Sequence, residues 1–120
     1  MISVPASDAA GIHTGLDVRR GDTTKFHAQG RWCWRDGSEC SDRDGTPGRP
    51  WPEERPTILD GEPFGKLIGR VGDWMFAIGS TAVVTAAADG ELLLLMNDRV
   101  GYYHDNSGSI TVEVTVTAAR

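Results

Sequence analysis

The sequence lacks the features that mark several large classes of protein. No apolar run approaches the roughly 18 residues of a membrane-spanning helix, and the first residues carry neither a basic region nor a long apolar stretch, so a conventional secretory signal is missing. Positive charge is also in short supply, because 17 acidic residues against 12 basic ones give a net charge of −5 at pH 7. Since nucleic acids bind basic surfaces, they are poor candidates for the main partner.

Cysteine is scarce, with Cys33 and Cys40 as the only two. No pair of nearby histidines completes a four-ligand zinc set around them. The two thiols can form a disulfide at the start of a long loop, but only in an oxidising compartment, so the sequence leaves the bridge open. The missing secretory signal predicts a cytoplasmic protein, or one that is released by another route and then acts outside the cell.

The residues that are present favour a single β-rich domain spanning residues 1–120. Fifteen glycines and six prolines supply many turns. Residues 110–116 alternate between apolar and polar side chains, and an earlier alternating segment puts Trp32 and Trp34 on one face. Residues 92–95 are four leucines, which predicts a central strand buried on both faces. We therefore predict an all-β sandwich of about eight short strands.

Two further segments stand out. The glycines within residues 64–72 indicate a β-bulge or a close backbone approach, and no Lys-Ser/Thr pair follows them as a phosphate-binding loop requires. For residues 37–63 we predict one long irregular segment. Loops of this length inside a compact domain are usually functional. Its one aromatic residue, Trp51, can either stack on the apolar face of a sugar or anchor the loop between prolines.

The loop at residues 97–108 contains the best candidates for a functional site. It lies between the leucine run at residues 92–95 and the alternating segment at residues 110–116, so it is predicted to connect two strands. Asp98 and Asp105 carry two negative charges, enough to balance one divalent ion, and Asn106 adds a neutral oxygen. Carboxylate, amide and main-chain carbonyl oxygens are the ligands that calcium selects. The loop therefore predicts a calcium site.

The order of these residues adds a second argument. Asn-Asp, a short gap, then Asp-Asn-Ser-Gly ahead of an alternating strand resembles the signature loop of the LecA-type calcium-dependent galactophilic lectins of bacteria. That loop has the form Asn-Asp-x-x-Gly-x-x-x-Asn/Asp-Asn-Ser-Gly, which this chain matches without a gap. Residues 64–72 look like the family's Gly-x-Leu-Ile-x-x-Ile-Gly strand, and residues 4–22 look like its opening hairpin. The resemblance covers nearly the whole chain and is weakest over residues 31–63.

The resemblance implies a fold, a metal and a ligand. The fold is a jelly-roll β-sandwich of the galactose-binding-domain-like type, and the cofactor is one calcium ion. The implied ligands are the side chains of Asp98, Asp105 and Asn106, together with the main-chain carbonyls of Tyr102 and Trp34. A gap of one or two residues in the alignment moves that last carbonyl to Arg35 or Asp36.

The implied ligand is galactose or a galactoside, with two neighbouring hydroxyl groups coordinated by the calcium. Asp98, Arg99, Tyr102 and Asp105 are the expected sugar contacts in the loop. The family's additional His and Gln contacts fall near Pro52 and Arg55, and neither residue type is kept. Trp51 or Arg55 is therefore expected to make the outer contact.

Two other functions remain open at this stage. Calcium can serve only to make the loops rigid, in a β-sandwich that binds no sugar. Alternatively, Asp98 and Asp105 can form the acid–base pair of a glycoside-acting enzyme. We expect no enzyme, because carboxylates that share a cation stay ionised and neither then serves as a general acid. The family forms tetramers, so we also expect a homo-oligomer, either a dimer or a tetramer.

Overall fold

The structure, a computed structural model, describes residues 1–34, 39–45, 57–59, 61–62, 64–98 and 103–119. These residues form nine strands and one 3-10 turn. The strands are Ile2–Pro5 (β1), Ile12–Val18 (β2), Thr23–Trp34 (β3), Glu39–Asp42 (β4), Leu67–Val71 (β5), Trp74–Ala77 (β6), Thr81–Thr85 (β7), Gly90–Met96 (β8) and Ser107–Thr117 (β9). The turn, Tyr103–Asp105, is the one helical element in this part of the chain, and it is far too short to cross a membrane.

The strands form two antiparallel sheets that pack face to face as a jelly-roll β-sandwich. One sheet has the order β1-β9-β3-β4, with β7 also paired to β3, and the other has the order β2-β8-β5-β6. The all-β prediction is confirmed. The described strands number nine, compared with the prediction of about eight.

The expected opening hairpin is wrong. β2 pairs with β8, whereas β3 pairs with β9, β7 and β4 in the other sheet. The turn between them, where the Asp22 carboxylate accepts a hydrogen bond from the Arg19 amide at 2.9 Å, therefore carries the chain from one sheet to the other. Turn residues indicate where a chain reverses, but they do not decide whether the flanking strands pair.

Gly30 lies within β3, just before the alternating segment that contains Trp32 and Trp34. Its φ is 111°, and a Cβ there would lie 3.1 Å from the Ser109 carbonyl oxygen. Only glycine fits this position comfortably. Beyond it, Trp32 and Trp34 are both buried, with 0% and 6% of their surface exposed. Their predicted position on one face is confirmed, and that face is the core.

β8 lies in the middle of its sheet, between β2 and β5. Leu92, Leu94 and Met96 point into the core between the sheets. Leu95 points to the other face and is also buried, opposite Ile68 of β5, while Leu93 is half-buried. The predicted central strand is therefore confirmed, and its far end leads directly into the candidate calcium loop.

Gly69 confirms the close approach that was predicted for residues 64–72. It lies opposite Phe76 on β6, and a Cβ on Gly69 would collide with the Phe76 ring. That ring stacks on Trp74, with centroids 4.4 Å apart. Glycine at this position therefore gives the aromatic ring room to cover the backbone of the central part of the sheet.

The start of the predicted irregular segment is a strand instead. Residues 39–42 form β4, which pairs with the end of β3 and places Cys33 directly opposite Cys40. The two cysteines form a disulfide, which answers the question that the sequence left open. A covalent bond between facing positions stabilises a hairpin whose second strand is short. Most of the remaining segment, including Trp51 and Arg55, lies outside the described residues.

The chain after β4 connects the two sheets at one edge. The Leu67 amide donates to the Arg43 carbonyl at 2.9 Å, which links this edge to β5. The Asp44 carboxylate accepts hydrogen bonds from the Ser80 amide at 2.6 Å and from the Ser80 hydroxyl. Ser80 lies where the chain passes from β6 to β7, so Asp44 pins this crossing between the sheets.

Asp44 should make stability depend on pH. The Ser80 hydroxyl is the main cause that lowers the pKa of Asp44 from its ordinary value of 3.8. We expect Asp44→Asn to reduce the free energy of unfolding by about 1 kcal/mol at pH 7, because exposed charged hydrogen bonds contribute modestly. Since the folded-state pKa is lowered, the contribution is present above the ordinary value and disappears as pH falls through the lowered one.

Urea unfolding at pH 7 and pH 3 would measure this difference. Asp17→Asn, which removes an exposed carboxylate elsewhere, is the matched control for the change in net charge. A wild-type advantage over Asp44→Asn that stays equally large at both pH values would contradict the expectation.

Candidate functional site

Three polar side chains of the loop after β8 are buried. Asn97, Asp98 and Asn106 are exposed by 0%, 1% and 8% respectively. Burying amide and carboxylate groups is unfavourable unless they have partners. Asn97 and Asp98 directly follow the apolar strand β8, and Asn106 directly precedes β9, so the two central strands carry these side chains into the end of the sandwich.

Asp98 and Asn106 are in direct contact. The Asn106 Nδ2 donates to Asp98 Oδ2 at 2.7 Å and to the Ala6 carbonyl at 2.9 Å. The same nitrogen lies 3.4 Å from the sulfur of Met96. These contacts fix the orientation of the Asn106 amide, because its nitrogen side faces the two oxygen acceptors.

The oxygen end of that amide differs. Among the residues that the structure describes, none donates a hydrogen bond to the buried Asn106 Oδ1. An unsatisfied buried acceptor costs about 1–3 kcal/mol, so such an atom requires an explanation. A cation next to the Asp98 carboxylate would satisfy it, and amide and carboxylate oxygens are the donors that a hard cation takes. The residues present therefore fit a calcium ion.

Tyr103 ties the two ends of the loop together. Its hydroxyl donates to the Met96 carbonyl at 2.7 Å and accepts from the Asp98 amide at 3.3 Å. Burial is the main cause that raises the pKa of the Tyr103 phenol well above its usual range, so the hydroxyl keeps its proton and remains a donor. The sequence prediction did not include this residue. The sequence feature that could have indicated Tyr103 is an aromatic side chain inside a loop of turn-forming residues.

Asn97 has a role that the prediction from ligand types did not assign. Its Oδ1 accepts from the Leu59 amide at 2.9 Å, and its Nδ2 donates to the carbonyls of Leu59 and Glu62, each at 3.2 Å. Asn97 therefore binds main-chain groups of Leu59 and Glu62. Its signal in the sequence was a polar residue placed directly after a buried strand and before a candidate ligand.

Of the other predicted calcium ligands, Asp105 and Trp34 are among the described residues, and Tyr102 is not. Asp105 ends the 3-10 turn immediately before Asn106 and is half-buried. Trp34 ends β3, and its ring packs against Phe64 with centroids 4.7 Å apart, so its carbonyl lies at the sandwich edge that carries β4. The predicted contacts that lie outside the described residues are Arg99, Tyr102, Trp51 and Arg55, together with Arg35, Asp36 and Pro52.

The chemistry of the site favours oxygen ligands. In the part of the chain that the structure describes, no three His, Cys, Asp or Glu side chains gather closely enough to hold a metal. A cation at Asp98 and Asn106 would therefore depend on amide and main-chain oxygens in addition to carboxylates. Calcium accepts such mixed sets, whereas zinc and copper prefer nitrogen or sulfur ligands.

The described residues form one β-sandwich, and the buried side chains of Asp98 and Asn106 lie between its last two strands. The PA-IL-like family model matches residues 2–119. The chain therefore belongs to the PA-IL-like family.

Two similar proteins agree with this assignment. "Lectin A" of Photorhabdus laumondii subsp. laumondii is 38% identical over 118 residues, which cover 95% of this chain and 88% of that protein. Among solved structures, the N-terminal domain of EclA, described as a PllA-like lectin, superposes with a TM-score of 0.73 at 27% identity. That superposition covers 96% of this chain and 93% of the other.

Proposed function

We propose that this protein is a calcium-dependent lectin that binds galactose or galactosides. Membership of a family whose relatives are named lectins supports carbohydrate binding. The observation that carries the calcium proposal is the buried Asn106 Oδ1, which lies next to the buried Asp98 carboxylate and has no hydrogen-bond partner in the described part of the chain. The side chains of Asp98, Asp105 and Asn106 would hold the ion, with the main-chain carbonyls of Tyr102 and Trp34.

Sugar recognition would divide between the ion and the protein. Bound calcium offers coordination positions to two neighbouring sugar hydroxyl groups, because it takes about 6–8 oxygens. The carboxylates of Asp98 and Asp105 accept hydrogen bonds from the same hydroxyl groups, and charge-assisted bonds of this kind are strong. Such a site reads the relative orientation of two hydroxyls, which distinguishes one epimer from another.

The segment between β4 and β5 would adjust this preference. Pro52 and Arg55 cannot reproduce the His and Gln contacts of the resembled family, so we expect weaker galactose binding than is typical there. Trp51 or Arg55 would make the outer contact, and Arg99 and Tyr102 would line the loop side. A homo-oligomer of two or four chains would compensate through avidity. We propose that the protein binds glycoconjugates, either in the cytoplasm or outside the cell.

The two alternatives predict different behaviour. A structural calcium module would bind the ion and no sugar. A glycoside-acting enzyme would need one of its two carboxylates to carry a proton. Carboxylates that share a cation stay ionised, so a calcium ion held by Asp98 and Asp105 would leave neither of them as a general acid.

A glycan array probed in calcium and again in EDTA would separate these functions. We expect signals on galactose-terminated glycans in calcium, lost in EDTA, with the printed glycans left intact. Binding of calcium with no signal on any glycan would instead support the structural module. Cleavage of the printed glycans would support the enzyme.

A further inference from the structure

Asn97 and Asp98 are adjacent residues whose side chains point to different parts of the molecule. Asp98 contacts Asn106 at the end of the sandwich, while Asn97 contacts the main chain of Leu59 and Glu62. This division continues the alternation of side chains along β8, which ends at Met96, directly before Asn97. One short stretch therefore touches both the candidate calcium site and the end of the segment between β4 and β5.

Main-chain hydrogen bonds strengthen the same connection. The Ile58 amide donates to the Asp98 carbonyl at 2.9 Å, the Gly65 amide donates to the Asn97 carbonyl at 2.9 Å, and the Asn97 amide donates to the Lys66 carbonyl at 2.8 Å. Asn97 is fully buried, so its side-chain bonds to Leu59 are protected from water. A shift of the Asp98 backbone would therefore move residues 58–59 with it.

We propose that Asn97 is a positioning residue that couples the calcium site to the segment in front of β5. The proposal rests on the proposed lectin function, because that segment carries the expected outer sugar contacts. Residues 58–59 are close in sequence to these expected contacts, because Thr57 follows Arg55 by only two residues. Fixing the Asp98 backbone with calcium should order residues 58–59, and by reciprocity the ordered segment should raise calcium affinity.

Asn97→Leu removes the side-chain hydrogen bonds of Asn97 with little change in size and none in charge. It removes the Asn97 bonds to the Leu59 amide and to the carbonyls of Leu59 and Glu62, although the Leu59 carbonyl keeps the Thr57 hydroxyl as a donor. Glu62→Gln is the matched control, because it weakens only the Glu62–Lys66 ion pair of 2.9 Å and keeps the Glu62 carbonyl. At saturating calcium we expect Asn97→Leu to weaken galactose binding about tenfold, since losing such bonds costs on the order of 1–2 kcal/mol.

Amide exchange in the wild-type protein tests the coupling without any mutation. Calcium should slow exchange at Ile58 and Leu59 by more than it slows exchange at Ala28, whose amide donates to the Ser80 carbonyl away from the site. General stabilisation would slow all three amides alike. In Asn97→Leu the additional protection of the first two amides by calcium should be lost, whereas Glu62→Gln should keep it.

The outcomes separate this inference from the proposed function. Wild-type protein that binds calcium and galactose but shows no additional protection at Ile58 and Leu59 would overturn the coupling alone. Asn97→Leu with wild-type galactose affinity at saturating calcium would do the same. Wild-type protein that binds no calcium would overturn the proposed function, and the coupling with it.

Discussion

Replacing Asp98 with alanine is expected to abolish calcium binding and, with it, carbohydrate binding. The carboxylate is 1% exposed and bonded to Asn106 at 2.7 Å, so its loss removes a charged ligand from a site shielded from water. Removing one partner of a buried charge pair costs about 3–5 kcal/mol, which corresponds to roughly a hundredfold or more in affinity. The same change removes an acceptor for a sugar hydroxyl.

Isothermal titration of calcium and of galactose would measure both losses. Asp73→Ala, which removes an exposed carboxylate in the turn between β5 and β6, is the control for net charge, and circular dichroism would verify that each variant is folded. A folded Asp98→Ala protein that still bound calcium within tenfold of the wild type would show that the ion lies elsewhere.

Calcium is expected to stabilise the folded protein strongly. An ion that binds the folded chain and not the unfolded one adds about 2.7 kcal/mol at a hundredfold excess over its dissociation constant. For a domain of this size, that amount raises the melting midpoint by roughly 8–16 °C. We expect the buried oxygen of Asn106 to contribute, because it has no hydrogen-bond partner among the described residues and would coordinate the cation.

Thermal unfolding with excess calcium, with excess magnesium and with EDTA would test this stabilisation. Magnesium is the matched control, because it prefers a smaller octahedral site and keeps its water ligands. Identical melting curves in calcium and EDTA would mean that the buried oxygen of Asn106 has another explanation.

Periodicity predicted the strands well because it reflects burial directly. The alternation at residues 110–116 describes which side chains face the core, whereas the run of leucines in β8 describes a strand that is covered on both faces. Gly69 was similarly readable, since glycine among strand residues indicates that something packs closely on the backbone. The type of each of these elements followed from local sequence.

Connectivity was not predictable by the same means. Whether β2 pairs with β3 or with β8 depends on contacts between residues far apart in sequence, and a turn signal carries no information about them. β4 was missed because it is short and its partner strand, joined through Cys33–Cys40, is needed to hold it. Ligand types indicated Asp98 and Asn106, whereas the roles of Asn97 and Tyr103 are defined by the backbone groups that they reach.

The most direct test is a calorimetric titration of galactose into calcium-loaded protein and into the same protein after EDTA treatment. Mannose and fucose titrated under the same conditions would show whether the site reads hydroxyl orientation. We predict binding of galactose in calcium, recovery of that binding when calcium is restored, and no binding in EDTA. Galactose binding that is equally strong in EDTA, or no monosaccharide binding at millimolar concentration in calcium, would contradict the account.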